Sequence, residues 1–161
     1  MPLLDRAGTE IKDTFVVVGD DSELPQSGGA VFPPDRLPVE FSGPLGVKLE
    51  NDYPVEELRD VVSNLSLVVL SFPSFADGRA YSQARRLRES LNFTGEIRAT
   101  GDILPDQFPF MLEAGFDSFQ VPDGRFPAER WAEAAQAMQF TYHRHLTRPG
   151  LDPVLALRHG A

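Results

Sequence analysis

One short apolar run constrains the fold of this chain more than any other feature. Residues Leu67–Phe72 read Leu-Val-Val-Leu-Ser-Phe and show no alternation of apolar and polar residues. A strand with one solvated face alternates, so this run predicts a strand that is covered on both faces, as in a parallel sheet. The run is far too short to cross a bilayer, and we expect no membrane-spanning segment.

Strand and helix patterns alternate along the chain around this run. We predict strands at Leu45–Leu49, Leu67–Phe72, Glu96–Thr100 and Ser118–Val121. Helices are predicted from Pro54 to about Ser63, from about Gly78 to Leu91, from Pro105 to Gly115 and from Pro127 onwards. Strands separated by helices of this length pair in parallel through right-handed crossovers. The prediction is an α/β fold with about four βα units, in a half-barrel-like or an open doubly wound sheet.

The first 44 residues have a different pattern, rich in glycine and proline. Phe15–Val18 and Ala30–Phe32 are strand candidates, and the turn residues between them predict short antiparallel strands with a hairpin. We therefore expect a single domain over residues 1–161. It would comprise N-terminal strands and loops (1–44), a βα core (45–146) and a C-terminal tail (147–161), either loose or with a short helix at Val154–Leu157.

Composition excludes several classes of function. The 161 residues include 15 Lys and Arg against 24 Asp and Glu, a formal net charge of −9 that disfavours nucleic acid and anionic membranes as partners. No cysteine is present, which excludes disulfides, thiolate-bound metals and a cysteine nucleophile. His143 and His145 are two residues apart and would lie on different sides of a helix, so no metal or other cofactor is expected. The start of the chain has no signal-peptide pattern, and we expect a cytoplasmic protein.

Candidate functional residues lie in the loops that follow the predicted strands, where parallel α/β folds bind ligands. Residues 71–100 carry five arginines and three acids, the one positive segment of the chain. Arginine suits carboxylate, phosphate or sulfur oxyanions. We assign acid–base roles to Asp77 and Asp102. Ligand-binding roles are assigned to four further residues: Arg79, Tyr81, Arg98 and Gln107.

Each candidate also has a structural alternative. Asp77 would serve as a helix N-cap or as the partner of Arg79, and Asp102 would cap the next helix or bind an arginine. Arg98 lies within a strand, where Glu96 on the same face would complete a structural ion pair. Tyr81 would be a half-buried packing residue. In the functional alternative, Arg79 and Arg98 come from consecutive βα units, and their guanidinium groups converge on one anion.

The middle of the chain resembles an uncharacterised bacterial family. The resemblance covers nearly the whole chain and is carried by Phe72–Arg85, Phe93–Asp102, Asp106-Gln107 and Gly115-Phe116-Asp117. This family is catalogued as a domain of unknown function and labelled an oxidoreductase of sulfite reduction, and its genes commonly neighbour those of sulfite reductase. In the family pattern a basic residue is usual at the position of Pro105 and a cysteine at that of Ala114.

The resemblance implies a role in assimilatory sulfite and sulfate reduction, and so in cysteine synthesis, without implying a reaction. Sirohaem–iron–sulfur reductases and thiol-dependent reductases need cysteines, so this chain is neither catalyst. We therefore expect an accessory protein that binds the reductase or a small anion. The alternative is an enzyme that acts on a small anionic substrate at the carboxyl edge of the sheet. Whether the protein is an enzyme, and its oligomeric state, stay open at this point.

Overall fold

The protein folds into one curled, half-barrel sheet of eight strands with α-helices against it. The computed structural model describes the backbone of residues 1–146 and side chains as far as residue 137. The strands are β1 (Leu3–Leu4), β2 (Glu10–Ile11), β3 (Phe15–Val17), β4 (Gly29–Phe32), β5 (Leu45–Leu49), β6 (Leu67–Phe72), β7 (Glu96–Gly101) and β8 (Ser118–Gln120). The helices are α1 (Arg79–Glu89), α2 (Phe108–Ala114) and α3 (Ala128–Leu146). The predicted tail, with its candidate helix, and the side chains of the three histidines lie outside the described residues.

The strand order is β2-β1-β8-β7-β6-β5-β4-β3, and β3 to β8 are all parallel. Because these six strands follow one another in sequence order, every crossover advances in the same direction and the helices cover one face. This arrangement decides between the two predicted architectures in favour of the half-barrel. The strand Leu67–Phe72 is buried at every position, as its apolar run predicts.

The predicted number of βα units is not confirmed. Within residues 1–146 an α-helix follows only β6, β7 and β8, whereas β5 leads into two 3₁₀ turns at Val55–Leu58 and Val62–Asn64. The predicted helix from Pro54 to Ser63 is therefore wrong. In this segment only Val55 and Leu58 are buried. Val55 and Leu58 are three residues apart, a spacing that a 3₁₀ turn with three residues per turn places on one side.

The N-terminal prediction is also corrected. Phe15–Val17 and Gly29–Phe32 pair in parallel and extend the main sheet, so they do not form a hairpin. The antiparallel hairpin of this region is β1–β2, and β1 also pairs antiparallel with β8. The two edge strands, β2 and β3, are separated by only three residues, which limits the gap between their ends to about 14 Å. The first 17 residues thus connect the two edges of the curled sheet.

Side chains on the two faces of the sheet enter different environments. Alternate residues of the central strands, such as Val68, Leu70 and Ile97, pack under the helices in the main apolar core. The opposite side chains point to the inner face of the curl, where Val31, Leu67 and Val69 form a second cluster with Phe15. Curling brings residues of β3 close to residues of β7, and this juxtaposition creates the polar sites described below.

Candidate functional site at the carboxyl edge of the sheet

Asp77 and Arg79 form an ion pair at the start of α1. Their closest N–O distance is 2.7 Å, and Asp77 also accepts the Arg79 backbone N–H and a 2.7 Å hydrogen bond from Asn51 Nδ2. Gly78, not Asp77, occupies the N-cap position. Hydrogen bonding from Arg79 holds the pKa of Asp77 far below its usual range. The positive charge in the first turn of α1 thus has the local carboxylate partner that the sequence required.

Asp102 and Gln107 meet at the backbone of Phe75. Asp102 Oδ2 accepts the Phe75 N–H at 3.2 Å, while its other oxygen pairs with Arg125. Gln107 Nε2 donates to the Phe75 carbonyl at 2.6 Å, and its own oxygen accepts the Leu104 N–H. The bond from Arg125, and then the bond from Phe75, lowers the pKa of Asp102. The backbone N–H and C=O of Phe75 are therefore both bound by side chains from the loop that follows β7.

Arg98 lies on the inner face with only about 5% of its side chain exposed. It pairs with Glu96 at 3.1 Å and with Asp13 at 2.9 Å, and its guanidinium carbon lies 5.8 Å from the centre of the Phe15 ring. Ser118 donates a hydrogen bond to the same oxygen of Glu96. The structure thus contains the Arg98–Glu96 pair considered above. It adds a carboxylate that local sequence reasoning missed, because Asp13 is 85 residues away.

The remaining candidate, Tyr81, packs in the core between α1 and the sheet. Its ring is 5.2 Å from that of Phe72 and 6.4 Å from that of Phe116, and burial raises the pKa of its hydroxyl. Arg79 and Arg98 have different carboxylate partners. The structure therefore brings together Asp102 and Gln107, and separately Asp77 and Arg79.

Arg88 lies at the margin of the apolar stripe of α1, a position that predicts only that its stem covers apolar surface, whereas the structure shows a multiple hydrogen-bond donor. Its guanidinium donates to the carbonyls of Phe93, Gly95 and Gly115, and to Asp117 at 2.5 Å. Asp117 in turn accepts the Ile97 N–H at the start of β7. This network lies at the amino edge of the sheet, opposite the candidate loops.

Two cavities that share three lining residues lie along the sheet, away from the loops that hold Asp77 and Asp102. The inner chamber, about 40 Å³, lies on the inner face between Asp13, Arg98, Thr100 and Gln120. The outer chamber, about 470 Å³, lies at the carboxyl ends of β3, β4 and β5. Both are lined by Val17, Val31 and Lys48. Lys48 forms no hydrogen bond or ion pair with any side chain that the structure describes, in contrast to Arg79 and Arg98.

Comparison with protein families gives a clear result. A family described as "Bacterial protein of unknown function (DUF934)" matches residues 46–151. The chain belongs to this family. The matched segment runs from β5 into α3 and includes Lys48, Arg98 and Asp102, but it leaves out β1 to β4 and Asp13. A comparison with curated proteins finds no significant match.

The described residues contain no group of three His, Asp or Glu side chains arranged to hold a metal ion. None of the helices in residues 1–146 is long and apolar enough to cross a membrane. The family description names no reaction, so the link to sulfite reduction stays a prediction from the resemblance.

Proposed function

We propose that this protein is an accessory protein of assimilatory sulfite reduction that docks on the reductase through the carboxyl edge of its sheet. The assignment to sulfite reduction rests on the family resemblance. The observation that carries the docking function is the environment of Phe75, whose side chain is 49% exposed while both its backbone groups are held. An aromatic side chain on a backbone that is already ordered binds a partner with little loss of conformational entropy.

A second aromatic side chain extends this surface. Phe110 is 63% exposed and lies three residues after Gln107, which binds the Phe75 carbonyl. Residues three apart on a helical segment share a face. Exposed Phe side chains on ordered elements are typical of protein interfaces, where aromatic residues supply most of the binding energy. Phe75 and Phe110 are hereafter the aromatic edge.

The ion pairs at this edge favour docking over catalysis by the same loops. Asp77 and Asp102 are each bound to an arginine, and both have a lowered pKa. A carboxyl group with a lowered pKa stays ionised at neutral pH and does not serve as a general acid, and it is a weak general base. Their arrangement instead orders the loop that presents Phe75.

Two experiments test the proposal at the levels of pathway and contact. Cells that lack the gene and any duplicate should fail to grow on sulfate yet grow normally on cysteine, and normal growth on sulfate would reject the pathway. Tagged protein should co-purify with sulfite reductase, and Phe75→Ala should abolish this association. Leu24→Ala is the matched control, since Leu24 is 44% exposed in a different part of the molecule. Equal retention by both variants would reject the aromatic edge.

The second candidate function, an enzyme acting on a small anion, is favoured by the inner chamber. Lys48 and Arg98, the latter also paired with Asp13, supply positive charge there, while Thr100 and Gln120 supply polar groups, and the volume suits an anion of a few atoms. Next to Thr100 in the sheet register, Ser71 has a buried hydroxyl that lacks a hydrogen-bond partner among the described residues. Sulfite, sulfate and phosphate should then raise the melting temperature of the wild type but not of Arg98→Met. Equal shifts in both proteins would reject the chamber as the anion site.

A further inference from the structure

The outer chamber has the dimensions and lining of a small-molecule site. Its volume of about 470 Å³ lies within the range of ligand pockets in proteins. Val17, which is 67% exposed, and the partly exposed Pro33 and Pro34 supply apolar surface. The chamber lies at the carboxyl ends of three parallel strands, the edge at which α/β folds bind ligands. This part of the edge is separate from the aromatic edge, and its use does not depend on the function proposed above.

The charged groups of the chamber limit the ligand. Among the described residues that line it, Lys48 is the single basic residue, and Asp20, Glu50 and Asp52 are the acids. Lys48 forms no ion pair with any of them. A simple anion would meet three carboxylates, and a simple cation would leave the Lys48 ammonium without a partner. A molecule that carries both charges satisfies both kinds of group.

The spacing of Lys48 and Glu50 agrees with this requirement. Lys48 and Leu49 are the last two residues of β5 and Glu50 follows directly, so the Cα atoms of Lys48 and Glu50 are about 6.6 Å apart across the extended Leu49 and their side chains leave on the same side. The ammonium and carboxylate groups of an α-amino acid are joined through one carbon. Hydrogen bonds of about 2.8 Å at each end would let one such molecule contact both side chains.

We propose that the outer chamber binds an α-amino acid with an apolar side chain. Its carboxylate pairs with Lys48, its ammonium group pairs with Glu50, and its side chain contacts the accessible apolar surface of Val17, Pro33 and Pro34. Asp52 also lies close enough to Arg79 to help raise the pKa of that guanidinium. We therefore assign the ammonium group of the ligand to Glu50, while Asp52 adds negative potential. The amino acid is bound as a ligand, and no bond in it is made or broken.

The test compares L-leucine with two molecules that each carry half of its charge. L-Leucine should bind in calorimetric titration, whereas 4-methylpentanoate, which lacks the ammonium group, and 3-methylbutylamine, which lacks the carboxylate, should each bind at least tenfold more weakly. In ¹⁵N-labelled protein, leucine should shift the backbone amides around Val17, Val31 and Lys48. If 4-methylpentanoate or 3-methylbutylamine bound as tightly as leucine, or if leucine did not bind, the proposal would be overturned.

Two variants test separately the contact of the ligand's carboxylate with Lys48 and that of its ammonium group with Glu50. Lys48→Met and Glu50→Gln should each weaken leucine binding at least tenfold. Both should leave the melting temperature of the free protein nearly unchanged, because neither side chain forms an ion pair with the described residues. Lys12→Met is the matched control, since it removes the only other lysine from outside the chamber. Undiminished leucine binding in Lys48→Met, or an equal loss in Lys12→Met, would also overturn the proposal.

Discussion

The carboxyl edge of the sheet has two halves with opposite character. Over β6 to β8 the loops are held by side-chain bonds, in which Asp77 pairs with Arg79 while Asp102 pairs with Arg125 and binds Phe75. Over β3 to β5 the edge is open, and Lys48 is without a partner among the described side chains beside a cavity of about 470 Å³. The comparison shows that paired charges order a loop for contact with a large partner, whereas an unpaired charge next to a cavity suits a small ligand.

The largest effect is expected at the residue that joins the two halves. Arg98→Met leaves Asp13, before β3, and Glu96, on β7, without their shared cation, and should lower the free energy of unfolding by about 3 kcal/mol. Both carboxylates are about one-third exposed, which places the loss at the low end for a broken buried pair. Urea denaturation measures it. Arg85→Met removes an exposed arginine and should change stability by less than about 0.5 kcal/mol. Equal stability of the two variants would contradict the structural role of Arg98.

The second largest loss of stability is expected at the amino edge of the sheet, at the opposite end of the strands from the loops of Asp77 and Asp102. Arg88→Met leaves three backbone carbonyls without their donor and should cost about 2 kcal/mol. Arg86→Met is the control, since Arg86 is 58% exposed and its contact with Glu56 is 3.8 Å long. An exposed pair of this kind contributes little to stability. Equal urea midpoints for these two variants would show that the Arg88 network does not stabilise the fold.

A pH series tests whether ion pairs such as Asp102–Arg125 order the loops over β6 to β8. The pKa of Asp102 is lowered in the folded protein, so its contribution to stability is present above the unfolded pKa of about 4 and is lost as pH falls below it. The difference in urea midpoint between wild type and Asp102→Asn should therefore be largest near pH 7 and shrink towards pH 3. Asp21→Asn removes an exposed carboxylate that has no ion pair with the described residues. The same pH trend in both variants would count against Asp102.

The smallest change in stability is expected at the aromatic edge itself. Phe75→Ala truncates a side chain that is half exposed, so the free energy of unfolding should fall by about 0.5 kcal/mol or less. Urea denaturation measures this change. Partner binding should nevertheless be lost, as described for the co-purification experiment. A large loss of stability in this variant would indicate that the ring packs within the molecule, and would remove the basis for the docking surface.

Local patterns in the sequence predicted the strands from β5 to β8 because each is a short apolar segment bounded by turn residues. They also predicted α1 and α2, which have an apolar stripe or a glycine C-cap. The same reasoning failed at Pro54–Ser63, where two buried residues support a turn but not a helix. It failed too for the pairing of β3 with β4, because a strand pattern contains no information on the direction of its neighbour.

For the candidate site, the sequence by itself determined the residue types and their loops. It placed Asp77, Asp102 and Gln107 after parallel strands, and it indicated that Arg79 and Arg98 need acidic partners, because a charge in a helix start or a covered strand is costly alone. Only the tertiary structure decided which partners they have. Asp13 reaches Arg98 from 85 residues away, and Lys48 meets no partner among the side chains placed by the structure, because the curl of the sheet sets which distant side chains meet across its inner face.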